Sequence, residues 1–517
     1  MQGPVINLAK ELGFFTIVLD GSLQACCISM ADQFEQIDLK DKEGIENFAR
    51  FTQNSAERLG IMTAGTDFSA SVAWVAEKLG LPGIPYEAAL NASDKSRMRA
   101  CFKNACLPSP DFITITSEYD INSINLPFPL VIKPVDNMGS RGCRRVDNIE
   151  DFRKAANTAV GFSRSGRAIV ESFMDGPEFS VDAIVWHGEI TICGLADRHI
   201  FFPPYFIEMG HTMPTIIEKE KQVSMLETFR AGIHSLGLAG KESIGAAKGD
   251  IKLTAKGPMI GEIAARLSGG YMSGWTYPYS SGALPIKGAI LAAMGQKPEG
   301  LVPTKDWTCA ERAFISIPGT VKAISGIEQA EEQKHINNVF LRITEGGKVS
   351  FPENNVTKCG NIIASALDRT TAANTAETAA RSILIKLDPE DPKTGEFLSS
   401  TAVFPPDAFQ LTDKIRYALS HIPDFPTPYS LLPTPHIYPF PLFTSSGIKD
   451  YMGRSVKESL EAVRKLTGFS LPMSEKNAEN EVLLGRSFWT AFIRGSYQGA
   501  VYYIDNLGAM IIDKEKQ

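Results

Sequence analysis

Two lysines, a glycine-serine loop and a spaced set of carboxylates recur along the first half of the chain in an order that suits one task. Lys95 stands in the helical stretch SDKSRMR, and Lys133 ends the apolar strand of PLVIKP. Directly after it comes the turn-forming loop Asn137-Met138-Gly139-Ser140-Arg141-Gly142. Glu171 closes the strand AIVE, and Glu178 follows in the turn GPE, ahead of the strand FSVDAIVW. Asp250 and Glu262 sit on two strands of a predicted hairpin, with Arg266 and Ser268-Gly269-Gly270 just behind. Polyphosphate calls for cations and backbone N–H donors, and a Gly/Ser loop lets the main chain come close. The two lysines add point charges. Carboxylates facing each other across a hairpin are hard oxygen ligands suited to Mg²⁺ bridging phosphates. Arg266 can stabilise charge developing on a transferred phosphoryl group, and Glu178 can accept hydrogen bonds from ribose hydroxyls. Each feature alone is ordinary, since a lysine at a strand end is usually solvated and a Gly-Ser loop is usually a plain turn. Their fixed order carries the signal.

The elements that must position these residues are of α/β type. Pro4 to Leu12 reads as a helix with Val5, Leu8 and Leu12 on one face. Phe14–Asp20 and Leu59–Gly65 read as buried strands, Lys42–Thr52 as an amphipathic helix, and Asp67–Leu79 as a helix with Asp67 as N-cap. Such alternation predicts a small parallel sheet with helices on its faces. The pattern opens on a helix, so either the start is internal or this domain has lost its first strand. From Pro85 to Leu301, strands are predicted at Leu130–Pro134, Ala168–Glu171, Phe179–Trp186, Ile190–Gly194, Gly249–Leu253 and Met259–Ile263. A third block follows, with strands at Ala313–Ile317, Val339–Ile343 and Lys348–Phe351 and a helix over Thr371–Ile385. Proline is dense from Asp388 to Pro441, which suits an extended arm. The tail reads as a helix over Ser455–Leu466 and strands at Phe488–Arg494 and Ala500–Ile504.

The length of 517 residues gives a prior of about three to four domains. A net charge of −7 argues against a general nucleic-acid binder, which needs basic clusters to meet phosphates. The eight cysteines include no CxxC pair, so zinc and disulfide readings have little support, and most are expected to be buried small hydrophobes. Free thiols suit a reducing compartment. No apolar run approaches the roughly 20 residues of a membrane span, and Met1 to Lys10 lacks a signal-peptide core. A cytoplasmic protein without a membrane partner is the expectation.

With these residues in view, the chain resembles the ATP-grasp superfamily. The stretches TAGTD, LGLPGIPYEAAL, DKSRMR, PLVIKPVDNMGSRG, VESFMDGPEFSVD and GEIAARLSGG carry the similarity over roughly residues 1–387. The resemblance implies an α/β fold with an α+β clasp: a Rossmann-like pre-ATP-grasp domain (1–86), a nucleotide-clasping ATP-grasp domain (87–301) and a lid (302–387). A Pro-rich linker or arm (388–442) and a small α/β region of unknown role (443–517) would follow. It further implies ATP and Mg²⁺ (or Mn²⁺) as cofactors. Lys95 and Lys133 would contact phosphates, under a closing loop that includes Gly139, Ser140 and Gly142. Glu171, Ser172, Phe173 and Met174 would border the adenine, Glu178 the ribose, and Asp250 and Glu262 the metal. Arg266 would be the catalytic residue. GEIAARLSGG is most similar to amino-acid ligases and other carboxylate–amine ligases, whose substrates are a small carboxylate and an amine. Homodimerisation, common in relatives, enters by that analogy alone. One departure stands out: the family often has Asn two residues after the second metal carboxylate, where this chain has Ala264, so a second magnesium would be held more loosely or by water.

The stretch Asp197–Pro214 is aromatic, mixed in charge and loop-like, and is the expected substrate-facing element. Arg198 could pair with a substrate carboxylate, Glu208 could hold an amino group, and His211 could serve as base or hydrogen-bond donor. Ser268 and Gly269 are expected on the same side. A dinucleotide oxidoreductase would need a first strand followed by GxGxxG, which is missing from MQGPVINLAK. A biotin-carboxylase-like enzyme would need bicarbonate and biotin sites that cannot be located. A non-catalytic ATP-binding scaffold is disfavoured by intact Lys95, Lys133, Asp250, Glu262 and Arg266.

Overall fold

The computed structural model describes residues 2–119, 121, 124–425, 435–476 and 482–515. The chain divides into two compact units. The first comprises residues 1–311, 353–355 and 363–374, and the second comprises 312–352, 356–362 and 375–517.

In the first unit, helix α1 (Gln2–Glu11) lays Val5 and Leu8, with Leu12 just after it, on a core that includes Ile286 and Ile290 of the helix Pro285–Ala293. Strands β1 (Ile17–Asp20) and β2 (Gln33–Gln36) form a two-stranded parallel sheet. Helix α2 (Lys42–Gln53) packs with α3 (Ser69–Leu79) around Ile45, Ala49 and Val75. The expected strand at Leu59–Gly65 does not form. Its segment makes a single bridge, Ala64 to Leu267, so its apolar residues serve docking rather than a sheet. Asp67 does not cap α3; Phe68 occupies that place, with no side-chain cap.

Helices α4 (Tyr86–Ser93) and α5 (Lys95–Asn104) lead into a four-stranded sheet in the order β3 (Phe112–Ile115), β6 (Ala168–Ser172), β4 (Leu130–Pro134), β5 (Arg144–Val146). Helix α6 (Ile149–Phe162) covers it through Phe152, Ala155, Ala156 and Ala159. The larger sheet runs β11 (Gly257–Ala264), β10 (Ile244–Thr254), β7 (Glu178–Trp186), β8 (Glu189–Phe201), β9 (Ile207–Met213), with these neighbours antiparallel. Along β7 and β10 the side chains alternate strictly. Phe179, Val181, Ala183, Val185, Ala247 and Ile251 enter a core with Met98 and Phe102 of α5 and with Met225, Phe229 and Ile233 of α7 (Lys219–Ser235). Gly249 lies on that side because a β-carbon there would stand 2.5 Å from the Phe229 ring. The opposite face carries the polar residues.

The stretch expected as a substrate loop is sheet instead. The end of β8 pairs with β9, Arg198 opposite His211, and the turn between them holds Pro203 and Pro204. Of the eight thiols only Cys193, Cys309 and Cys359 are buried, and Cys26 and Cys106 are exposed, so the expectation of mostly buried cysteines fails.

The second unit has a three-stranded sheet in which Gly319–Ser325 lies between Lys348–Val349 and Leu384–Leu387. The helix Val456–Thr467 begins at a capping box, Ser455 with Glu458. The predicted strands Phe488–Arg494 and Ala500–Ile504 are helical: both lie in Arg486–Glu515, which breaks at Ser496 (φ 50°). Phe488, Trp489 and Phe492 there pack with Phe409, Phe440 and Phe443. The Pro-rich arm is partly helical (Pro392–Ser399, Asp413–Ser420), and its residues 426–434 lie outside the described residues.

Candidate nucleotide and substrate site

The polar face of the large sheet is a grid. Register places Lys252, Glu178 and Arg198 side by side on β10, β7 and β8. One step along come Glu262, Asp250, Ser180 and Ala196, and one further Ala264, Lys248, Asp182 and Gly194. Strand period two, acting on three antiparallel neighbours, is what gathers these side chains. Asp250 and Glu262 are direct cross-strand partners, as the sequence predicted.

Lys95 enters from the first turn of α5. Asp94 caps that helix by accepting from the N–H groups of Ser96 and Arg97, which fixes where Lys95 leaves the backbone. Its Nζ donates to the carbonyl of Asn137 (2.8 Å) and lies 3.6 Å from Glu262. Burial opposes the Lys95 charge, but Glu262 and Asp67 more than offset it, and its pKa is raised. Asp67, which the sequence suggested only as a cap, is drawn into the site. Burial pushes its carboxyl up, opposed by Lys95 and reinforced by Glu262.

Lys133, at the end of β4, reaches Glu171 on neighbouring β6 at 2.8 Å. The other oxygen of Glu171 accepts from Arg99 Nε (2.8 Å). Both Arg99 (1% exposed) and Glu171 (2%) are buried. Arg99 also donates to the carbonyls of Ile260 and Gly261, at 3.1 and 2.6 Å, where β11 bulges against Asp250. Burial alone would raise the Glu171 carboxyl, but Arg99 and Lys133 hold it down at about 2. The Glu171 side chain therefore anchors Lys133. The backbone after it is pinned, Ser172 N to Asp111 O and Phe173 N to Pro129 O, while the Phe173 ring stacks on Phe206. Met174 is partly buried beside it.

In the glycine loop, Gly139, Ser140 and Gly142 all have positive φ (69°, 60° and 69°). A β-carbon on Gly142 would stand 3.0 Å from Phe162. Asn355 donates its N–H to Gly139 O (3.0 Å), and its side-chain oxygen accepts from Glu208 N (2.8 Å), tying the loop to β9.

Arg198 sits among three carboxylates. It contacts Glu178, binds Glu208 through Nε and Nη2 (3.2 and 2.8 Å), and lies 2.9 Å from Asp250. Asp250 also meets Lys248 and accepts from Ser180 Oγ (2.8 Å). Burial would raise Asp250, but Arg198 and Lys248 hold it well below the usual carboxylate range. Burial likewise opposes Glu262, and Lys95 and Lys248 bring it down. Glu178 contacts Lys252 at 3.7 Å as well.

His211 is wholly buried, with Nε2 2.9 Å from Thr276 Oγ1 and Nδ1 3.2 Å from Glu311. Arg266 is buried and donates to the carbonyls of Thr66 (3.2 Å) and Leu267 (3.1 Å). Ser268 donates from N (2.9 Å) and from Oγ to Asp182, whose carboxyl burial pushes up to about 6 against those two bonds. Gly269 lies against Gly65. Lys248, Lys252, Asp182, Arg99 and Asn355 are residues that sequence reasoning missed, and Asp67 was read only as a cap. The first two were visible as the alternation in KGDIK.

Residues 126–273, which hold all of this machinery but Lys95, Asp67, Arg99 and Asn355, match the ATP-grasp domain. The chain carries an ATP-grasp domain. After this ATP-grasp domain, residues 313–388 match the L-amino acid ligase C-terminal domain 2. Carnosine synthase 1 of Gallus gallus is 22% identical over 320 residues, 57% of this chain and 34% of that protein. The alanine–anticapsin ligase of Bacillus subtilis (strain 168) is 27% identical over 234 residues, 40% of this chain and 48% of that protein. The alignments thus span about a third to a half of these curated relatives' length. The L-amino acid ligase from Bacillus licheniformis shares the fold, with a TM-score of 0.63 and 21% identity over 75% of this chain and 96% of that structure. These relatives are ligases. Among the described residues no helix is long and apolar enough to cross a membrane.

Proposed function

We propose that this chain is an ATP- and Mg²⁺-dependent ligase that activates a small carboxylate as an acyl phosphate and joins it to an amine, releasing ADP and phosphate. The observation that carries the reading is the meeting of Lys95, Glu262 and Asp250 on one polar face, with Lys95 also bonded to the chain just before the glycine loop. The likeness to amino-acid-joining enzymes supports the class of substrate.

The donor set fits magnesium. Two hard carboxylates on adjacent strands, with phosphates completing the shell, are the usual way this ion is held. Among the described residues no cluster of three or more acidic, histidine or cysteine ligands offers a rival cage. When bound there, Mg²⁺ would supply charge neutralisation across the phosphate oxygens. The protein's own residues position and screen. Lys95 and Lys133 hold the phosphates, and the backbone of 171–174 borders the adenine with Glu178 toward the ribose. Arg266 faces the charge that moves from ATP to the carboxylate, and the loop with Gly139, Ser140 and Gly142 keeps water from the acyl phosphate. The substrate side is assigned to Arg198, Glu208, His211, Ser268 and Gly269. A substrate carboxylate reaching Arg198 has to displace Glu208, which would free Glu208 for an amino group.

Phosphate release measured against pooled amino acids and small carboxylates tests this. Turnover that needs both a carboxylate and an amine is the expected result. ATP binding with no turnover under any pair would sink the ligase reading, and absence of ATP binding would sink the nucleotide site itself.

A further inference from the structure

The hairpin that carries Asp250 and Glu262 has four corners on its polar face. Two are these carboxylates, directly opposite each other. The other two are Lys248 and Ala264, also directly opposite each other and one step along the same strands. Oxygen donors therefore occupy one rung only, and the next rung offers a methyl group and an ammonium. That ammonium is not turned away to solvent: Lys248 Nζ contacts Asp250, and its charge helps hold Glu262 ionised. On its other side Lys248 is in register with the buried Asp182 of β7.

We propose that Lys248 takes the place of a second divalent cation at the triphosphate, so that the site loads its nucleotide with one metal ion. The inference rests on the nucleotide reading above and goes beyond it by setting the metal stoichiometry. A divalent ion such as Mg²⁺ requires about six oxygens in near-octahedral array. Two facing carboxylates and the phosphates can complete one such shell, whereas the next rung offers a second ion no protein oxygen and leaves it to phosphate and water alone. It would also have to sit beside the positive charge of Lys248, which repels it. An ammonium at this rung supplies one positive charge and up to three N–H donors to phosphate oxygens without any coordination shell. The absence of an oxygen donor at Ala264 and the presence of the lysine across from it are then one arrangement, in which neither is useful without the other.

Counting bound Mn²⁺ tests the inference without relying on turnover. The full chain is saturated with a non-hydrolysable ATP analogue, and free Mn²⁺ is followed by electron paramagnetic resonance as metal is added in excess. One Mn²⁺ per bound nucleotide is expected for the native chain, and two for Lys248→Ala/Ala264→Asn, which restores an oxygen donor and removes the charge. Two ions on the native chain would overturn the inference while leaving the nucleotide site standing. One ion on both proteins would also overturn it, since Lys248 would not be what excludes the second. No nucleotide bound at all would overturn both readings. Should the double variant not fold, Ala264→Asn alone is expected to stay at one ion, and a gain to two would refute the role of the lysine.

Discussion

Glu171 shows how one residue can serve the site without facing it. Its carboxylate is shared between Arg99 and Lys133, so replacing it leaves a guanidinium at 1% exposure without its partner. Glu171→Gln is expected to destabilise the chain by about 3–5 kcal/mol, the usual cost of breaking a buried pair, measured by urea denaturation at neutral pH. The pH dependence follows from the depressed carboxyl. A folded-state pKa of about 2, below the ordinary value of 4.5, contributes stability that is fully present above pH 4.5 and is lost as pH falls toward 2. Between pH 5 and 3 the native chain should therefore lose stability more steeply than the Gln variant; parallel curves would refute the pairing. At the rung proposed to hold the metal, Glu262→Ala is expected to lower kcat/KM on the order of 100-fold or more. Raised Mg²⁺ should recover part of this, and full activity at limiting Mg²⁺ would remove Glu262 from the ligand set.

The elements divide into those whose period could be seen and those decided by packing. The rung of Asp250 and Glu262 was legible because two short alternating runs flank Lys256-Gly257, a turn that leaves little choice of register. Lys95 and Lys133 were legible from the helical stretch SDKSRMR and the apolar strand before Pro134. By contrast Asp197–Pro214 was read as a loop because its prolines and aromatics suggest one, and only its partner strands make it a sheet. Phe488–Arg494 and Ala500–Ile504 were read as strands because they are short apolar runs. They are helical with almost every side chain buried, so no polar stripe marks the helical period. Packing also sets the tolerance of the grid. Gly249→Val would drive a side chain into Phe229, and a loss of about 1–3 kcal/mol is expected from overpacking. A lowered melting temperature would report it, and unchanged melting would mean that α7 yields freely.

For the whole molecule, the two units each hold a core of their own. Only the first contains the proposed nucleotide residues. Calorimetry is expected to resolve more than one transition, because chains of this size rarely unfold in a single step. A non-hydrolysable ATP analogue with Mg²⁺ at 100 times its Kd should stabilise one of these by about 2.7 kcal/mol and leave the other nearly in place. Equal shifts in both would assign nucleotide contacts to the second unit as well.

The grid also governs which insertions and deletions this lineage can survive. Because neighbours along a strand face opposite sides, removing one residue near the start of β10, with the chain before it held in register, would bring Lys248, Asp250 and Lys252 to the oily side and Ala247, Gly249 and Ile251 to the wet one. Folding and chemistry would then be lost in the same step, with no half-active intermediate for selection to keep. Length changes between homologues should therefore fall at the Thr254–Gly257 bend and spare the strand interior.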